Sequence, residues 1–367
     1  MAEATVKKDN HALRTVTAIF MFFIAITHYY SQFKIGDMVF SDALTSVGRF
    51  VIPVFAMISG YFLFSKDGHS EAKIKSKALH ILVLILIFKA VYLIFSLILC
   101  VSGIVNFDYV LTELLTVSPA YYFDCYGGTV GIMTTQPIWF VYSLFLVYGL
   151  WFLFHHFKID FKWTWVIALP ILVFALAVVD IIPMFGTNDF LGMDILGDQG
   201  IGGILYPFIV LPFFGMGYYL HKHKEWIDSW LTNTMIWVAI FASPFIIALE
   251  AYLRGTIENP VLYIGSLLLA LSLFLGTFRV PEDKGRIQVL IYIGKHLTVW
   301  MYVFFAMANF IMRYAFQTFA DDMVVCEVVG PVLALILDIA MAFGFHMLLR
   351  YMSDRKKAKA GQVQVTA

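Results

Sequence analysis

An all-α polytopic bundle of about ten membrane-crossing helices is the fold this sequence predicts, and three observations predict it. Of 367 residues, 61% are hydrophobic and 14% charged, where a soluble domain carries about 45–50% and about 25%. With a mean hydropathy of +0.82, the chain has too few polar residues to cover a water-soluble surface around so large an apolar core. The apolar residues fall into stretches of membrane-crossing length, and Lys and Arg gather between alternate stretches.

Crossing a hydrocarbon core as a helix takes about 20 apolar residues. In order, the stretches that qualify are Leu13–Tyr30, Ala43–Phe64, Ala78–Gly103, Pro137–Phe154, Trp163–Ile182, Gly203–Leu220, Thr234–Leu253, Val261–Phe278, Val289–Met312 and Val328–Leu349. The first follows the polar segment MAEATVKKDN, and no small-residue cleavage site follows it, so it is read as a retained span. Gly and Pro interrupt several spans, which membrane helices tolerate. With the amino terminus placed in the cytoplasm, 19 of the 25 Lys and Arg fall on the inner side and four on the outer. That asymmetry predicts both termini cytoplasmic and an even number of spans. The domain plan is a cytoplasmic segment 1–12, a membrane domain 13–350 and a basic, disordered tail 351–367.

Several function classes fall away. A net charge of zero offers no basic field for nucleic acid, and Cys100, Cys125 and Cys326 are too few and too scattered for a disulfide framework or a thiolate metal site. His155-His156 and His221-x-His223 lie in short inner loops with no Cys or Asp fixed beside them, so no metal site is expected. The outer loop 104–136 holds no Lys or Arg but carries Tyr109, Tyr121, Tyr122 and Tyr126, a set that suits either sugar stacking or an interfacial aromatic belt. Asp189, Asp194 and Asp198 in the second outer loop lack the spacing of a calcium loop.

Ionisable groups inside spans are costly and mark candidate sites, with internal pairing as the alternative. They are Arg14 and His28 in the first span, Arg49 in the second, Lys89 in the third, Glu250 in the seventh, His296 in the ninth and Asp338 in the tenth. Lys89 and Asp338 are each halfway along their spans and suit a buried pair. Arg14 and His28 stand 14 positions apart; at 3.6 residues per turn they project within about 40° of each other and roughly 21 Å apart along the axis, lining one groove without touching.

Four stretches resemble one known family, the acyltransferase-3 integral membrane acyltransferases. They are LRTVTAIFMFFIAITHYY in the first span, RFVIPVFAMISGYFL in the second, PIWFVYSLFLVYGL in the fourth and YIGKHLTVWMYVF in the ninth. The second is the most specific. The resemblance implies ten spans with cytoplasmic ends and O-acylation of cell-surface sugars or related acceptors. It departs from the family at the first span, where Arg14 and His28 have 13 residues between them and the family usually sets the histidine three positions closer, at the place of Ala25. Measured back from His28, the family's basic position holds Thr17, a helical neighbour of Arg14. Phe304 stands near where the family often has a second histidine.

The chemistry so implied is transfer of an acyl group, expected to be acetyl, from cytosolic acyl-CoA to a hydroxyl of a cell-surface glycan or lipid-linked sugar. Such a step needs a base, a positive group for the oxyanion and exclusion of water. His28 is the expected base and Arg49 the expected oxyanion partner. Arg14 would take the donor's phosphates, with an ordinary inner-face anchor as the alternative, and Ser59 and Gly60 offer a small surface suited first to close helix packing and second to the donor's acyl-carrying arm. Trp139, Tyr142 and Glu250 are the candidates for lining the acceptor path. The donor acyl-CoA is a substrate and no bound cofactor or metal is expected; the other partners are the glycan or lipid-linked acceptor and membrane lipids, with oligomeric state open. The alternatives are a transporter of a lipid-linked sugar or small solute, and a family member without activity.

Overall fold

Most of the described helices are apolar enough to need burial in lipid or against another helix, and side-chain spacing decides which face meets which. The structure, a computed structural model, describes residues 10–29, 34–35, 38–39, 48, 50–64, 71–108, 110–111, 122–125, 130–133, 139–158, 202–254, 263–281, 284, 286–319 and 323–365. It divides into two compact units, Met1–Ser41 with Thr277–Ala367 (unit 1) and Asp42–Gly276 (unit 2). The predicted helical membrane bundle is the architecture found. Helices occupy every expected span except Trp163–Ile182, which lies outside the described residues. The only strands among the described residues are two short antiparallel hairpins, β1 (Lys34–Ile35) with β2 (Met38–Val39) and β3 (Tyr122–Cys125) with β4 (Val130–Met133).

Unit 1 begins with α1, His11–Thr27, whose start is set by Asn10: its side-chain oxygen accepts the Leu13 amide at 2.9 Å. Its other helices are α9 (Gln288–Tyr292), a π-helical turn (Ile293–Leu297), α10 (Thr298–Phe319) and α11 (Met323–Val365). Arg14 meets Gly294 and Ala25 meets Asn309, so α1 runs parallel to the α9–α10 rod. His296 stacks near His346 and Trp300 packs on Phe345, while Tyr29 at the far end of α1 touches Gly330; α11 therefore runs back antiparallel. The segment expected as a disordered tail is helical as far as Val365; its Lys, Arg, Ala and Gln all favour the helix.

Unit 2 contains α2 (Val51–Leu63), α3 (Glu71–Val101), α4 (Trp139–His156), α5 (Gly202–Lys222), α6 (Lys224–Trp230), α7 (Asn233–Arg254) and α8 (Ile264–Thr277). On α3 the buried stripe is Ile74, Ile81, Ile85, Phe88, Tyr92, Ser96 and Leu99, recurring at three and four, while Val83, Leu86, Ile94 and Ile98 face outward. A helix apolar on both faces is one that meets protein on one side and lipid on the other. The closest approach joins α2 to α5. A Cβ on Gly60 would overlap the Phe214 carbonyl, and one on Gly217 would overlap the Met57 carbonyl. Small residues at such crossings let backbones meet, which is how helices gain contact in lipid, where apolar burial drives little.

The pairings also set directions. Met57 meets Gly217 and Tyr61 meets His221, so α2 and α5 are parallel; Phe140 meets Phe55 and Tyr148 reaches Ser59, so α4 runs with them. Glu71, at the start of α3, lies 3.3 Å from His156 at the end of α4, so α3 is antiparallel. Lys158 and Gly202 consequently stand at opposite ends of the unit, as the expected fifth span requires. In the α7–α8 hairpin, Gly265 packs against Ile247 and Gly276 against Ile236. Among the described residues, Glu71–Val101, Asn233–Glu250, Gln288–Phe316 and Val328–Arg355 are long and apolar enough to cross a membrane, and four shorter helices are equally apolar.

Replacing Gly60 by alanine should force α2 away from α5 and cost about 2 kcal/mol. The same change at Gly149, where a Cβ meets nothing within 4 Å, should be neutral or stabilising by about 0.5 kcal/mol. Thermal unfolding of the two variants in detergent checks both, and equal midpoints would contradict the close crossing.

Candidate functional site

The end of α1 collects the unit 1 residues with a chemical claim. The last carbonyls of a helix lack intrahelical partners, and here each neighbour supplies one. The His28 amide returns to Ile24 O and the Tyr29 amide to Ile26 O, each at 3.1 Å. The carbonyl between them, Ala25 O, accepts instead from Asn309 Nδ2 of α10 at 3.1 Å. One turn back along α10, Phe305 stacks on the His28 ring, centroids 5.2 Å apart and planes 23° from parallel. One turn forward, the Arg313 guanidinium lies 5.6 Å from the centroid of the fully buried Tyr29 ring, whose hydroxyl abuts Gly330 of α11. Phe305, Asn309 and Arg313 recur at intervals of four and thus form one stripe of α10.

His28 itself is exposed. The helix ends at Thr27, and the ring projects past the packed surface with one face on Phe305. The position three residues earlier, Ala25, is buried at 2% exposure. A base there would sit inside the α1–α10 contact, whereas at position 28 it stands at the helix end. Thr17 is buried with its hydroxyl donating to Leu13 O at 2.7 Å, and half-buried Arg14 lies one turn below. The Arg14 carbonyl adjoins Gly294 of the α9–α10 rod, and the His28 ring adjoins Phe305 further along it.

The remaining expected residues lie in unit 2 or outside the description. Ser59 donates its hydroxyl to Phe55 O at 3.0 Å, while its carbonyl accepts from Tyr148 at 3.4 Å; Gly60 is filled by α5. Close packing accounts for both. Glu250 accepts the Gly265 amide at 2.9 Å, which places a carboxylate on the first turn of α8 as a cap. Tyr142 is half-buried on α4. Arg49 and the side chain of Trp139 lie outside the described residues. Lys89 belongs to unit 2 and Asp338 to unit 1; the Asp338 carboxyl is fully buried and its oxygens have no hydrogen-bond partner among the described residues. No group of three His, Cys, Asp or Glu among the described residues could hold a metal ion.

Comparison with known families decides the class. Residues 10–351 match the family model described as an acyltransferase domain, Acyl_transf_3. The chain belongs to the acyltransferase-3 family. No curated protein and no solved structure matches it. The match takes in all the helices described up to residue 351 of this acyltransferase-family membrane protein.

Sequence reasoning missed Asn309, Phe305, Arg313 and His346. Asn309 had a usable signal, an amide in an otherwise apolar span; the others look like ordinary packing or flanking residues until the helices are assembled. Replacing Asn309 by leucine should leave Ala25 O without its partner and cost about 1 kcal/mol. It should also speed amide exchange at His28 and Tyr29 while leaving α3 unchanged. Hydrogen exchange in detergent checks this, and uniform exchange across both helices would count against it.

Proposed function

We propose that this acyltransferase moves an acyl group, acetyl in the first instance, from cytosolic acyl-CoA to a hydroxyl of a cell-surface glycan or lipid-linked sugar. It works in the plasma membrane with both termini cytoplasmic and His28 as general base. The observation that carries the reading is the fixed imidazole at the end of α1, one face on Phe305 and its helix end tied down by Asn309. Histidine is the side chain whose ordinary range leaves a proton-accepting form at neutral pH, and a ring held in one orientation meets the geometric demand of a base.

In this reading the acceptor hydroxyl gives its proton to His28 as its oxygen attacks the thioester carbonyl. The tetrahedral oxyanion collapses, the carbon–sulfur bond breaks, and the thiolate takes the proton from the imidazolium, leaving an ester and free CoA thiol. Arg49 remains the proposed oxyanion partner. Arg313, on the Phe305–Asn309 stripe, supplies a cation near the same helix end. Asn309 is a positioning residue, since it holds the backbone on which the base stands.

The variants His28→Ala and Phe305→Ala separate the two requirements. His28→Ala should lower ester content of surface glycans and CoA release by the purified protein at least about a hundredfold. Phe305→Ala should lower the rate constant more than it raises KM, since it frees the ring without touching substrate. Mass spectrometry of surface glycans from a complemented deletion strain and a thiol assay measure these. Wild-type activity in His28→Ala at equal membrane abundance would overturn the assignment, and transport of a labelled acceptor without CoA release would favour a carrier.

A further inference from the structure

The end of α1 that carries the base also carries a cation, and neither membrane topology nor headgroup anchoring accounts for its placement. In the orientation proposed above, Arg313 is one of four Lys and Arg on the outer side, against 19 on the inner. A cation whose task is to set topology belongs on the inner side. A headgroup anchor, for its part, lays its stem along apolar surface and leaves its head in water. The Arg313 guanidinium instead lies 5.6 Å from the centroid of the fully buried Tyr29 ring, and the arginine as a whole is half-buried.

Tyr29 follows His28 directly in the chain, so their Cα atoms stand about 3.8 Å apart. α10 therefore grips consecutive residues of α1: Phe305 stacks on the imidazole at 5.2 Å, and Arg313, two turns on, covers the next ring. The cation is thus held beside the base by the same stripe of α10 that orients the base. A cation so placed opposes the imidazolium that proton transfer creates. An acceptor that brings its own negative charge against the guanidinium offsets that repulsion and is positioned by it. Flat apolar faces for a sugar ring lie on the adjoining side of α10, where Tyr314, 40% exposed, stacks on Phe310 with centroids 6.0 Å apart.

We propose that Arg313 selects an acceptor sugar bearing an anionic group, a carboxylate or a phosphate, and holds that group so that a neighbouring hydroxyl faces His28. The inference rests on the acyl-transfer reading above and deepens it by naming the charge class of the acceptor. The fork of the guanidinium matches two oxygens of either group. The covalent step is the one given above, and the anionic group passes through it unchanged.

Saturation-transfer NMR on the detergent-solubilised full chain, with methyl glucuronide, glucose 6-phosphate and neutral methyl glucoside as probes, reads acceptor recognition without turnover. Wild type should bind at least one charged probe about tenfold more tightly than the glucoside, and which one decides between carboxylate and phosphate. Arg313→Gln should remove that preference by weakening the charged probes alone, while Arg313→Lys, which keeps the charge, should keep most of it. With a charged acceptor that turns over, Arg313→Gln should raise KM more than it lowers kcat. Equal binding of charged and neutral probes by wild type, or an undiminished preference in Arg313→Gln, would overturn the anionic acceptor while leaving the acyltransferase reading intact. A preference that depends on Arg313, with no CoA released from acetyl-CoA on any probe, would sink the acyltransferase reading and keep the anion site. A parallel arm titrates phosphatidylglycerol into the micelles: if the lipid binds through Arg313 while the sugars show no preference for charge, the guanidinium serves a headgroup and the proposal falls.

Discussion

Backbone-to-backbone contact at glycine is the interaction on which the rest of this structure depends. In hydrocarbon the tails of lipid are as apolar as leucine, so burial alone does little to join helices, and contact comes from close, complementary packing. Gly60 and Gly217 answer each other across the α2–α5 crossing, and Gly294 does the same for the Arg14 carbonyl. Each lets one helix approach another more closely than any side chain would allow. The aromatic packing of Tyr148, Trp151 and Phe214, and the Tyr61–His221 stack, follow from that separation.

The polar groups divide by what they satisfy. Most are consumed locally: Thr17, Ser59, Ser96, Ser243 and Ser272 donate to carbonyls four residues back in their own helices. A smaller set reaches between helices. Glu250 caps α8, His221 Nδ1 meets Tyr61 O at 2.7 Å, and Asn309 serves Ala25. Of these, only Asn309 acts next to a residue with catalytic potential, and it acts on the backbone. That is why the end of α1 can hold a defined geometry while its last side chain remains open to a substrate.

In unit 1 the two ends of α1 thus differ in kind. One end offers an oriented imidazole with aromatic and amide support; the other offers concentrated positive charge around a distorted turn. Roughly 21 Å of helix separates Arg14 from His28.

The sequence alone determined the membrane class and the family. Hydropathy and helical period are properties of a single segment, because transfer from water and rotation by 100° per residue depend on nothing beyond that segment. What only the tertiary structure decided is which polar groups meet. Glu250 reads as a costly buried charge until the amide of Gly265 is placed against it, and Ser59-Gly60 reads as a small surface whose packing partner is unnamed until α5 fills it. Asn309 reads as one amide in an apolar run until Ala25 O is left over at the end of α1. His346 becomes a neighbour of the His296 ring only when α11 packs back along the rod. These contacts depend on the crossing and direction of helices far apart in the chain, and no local average of residue properties encodes them.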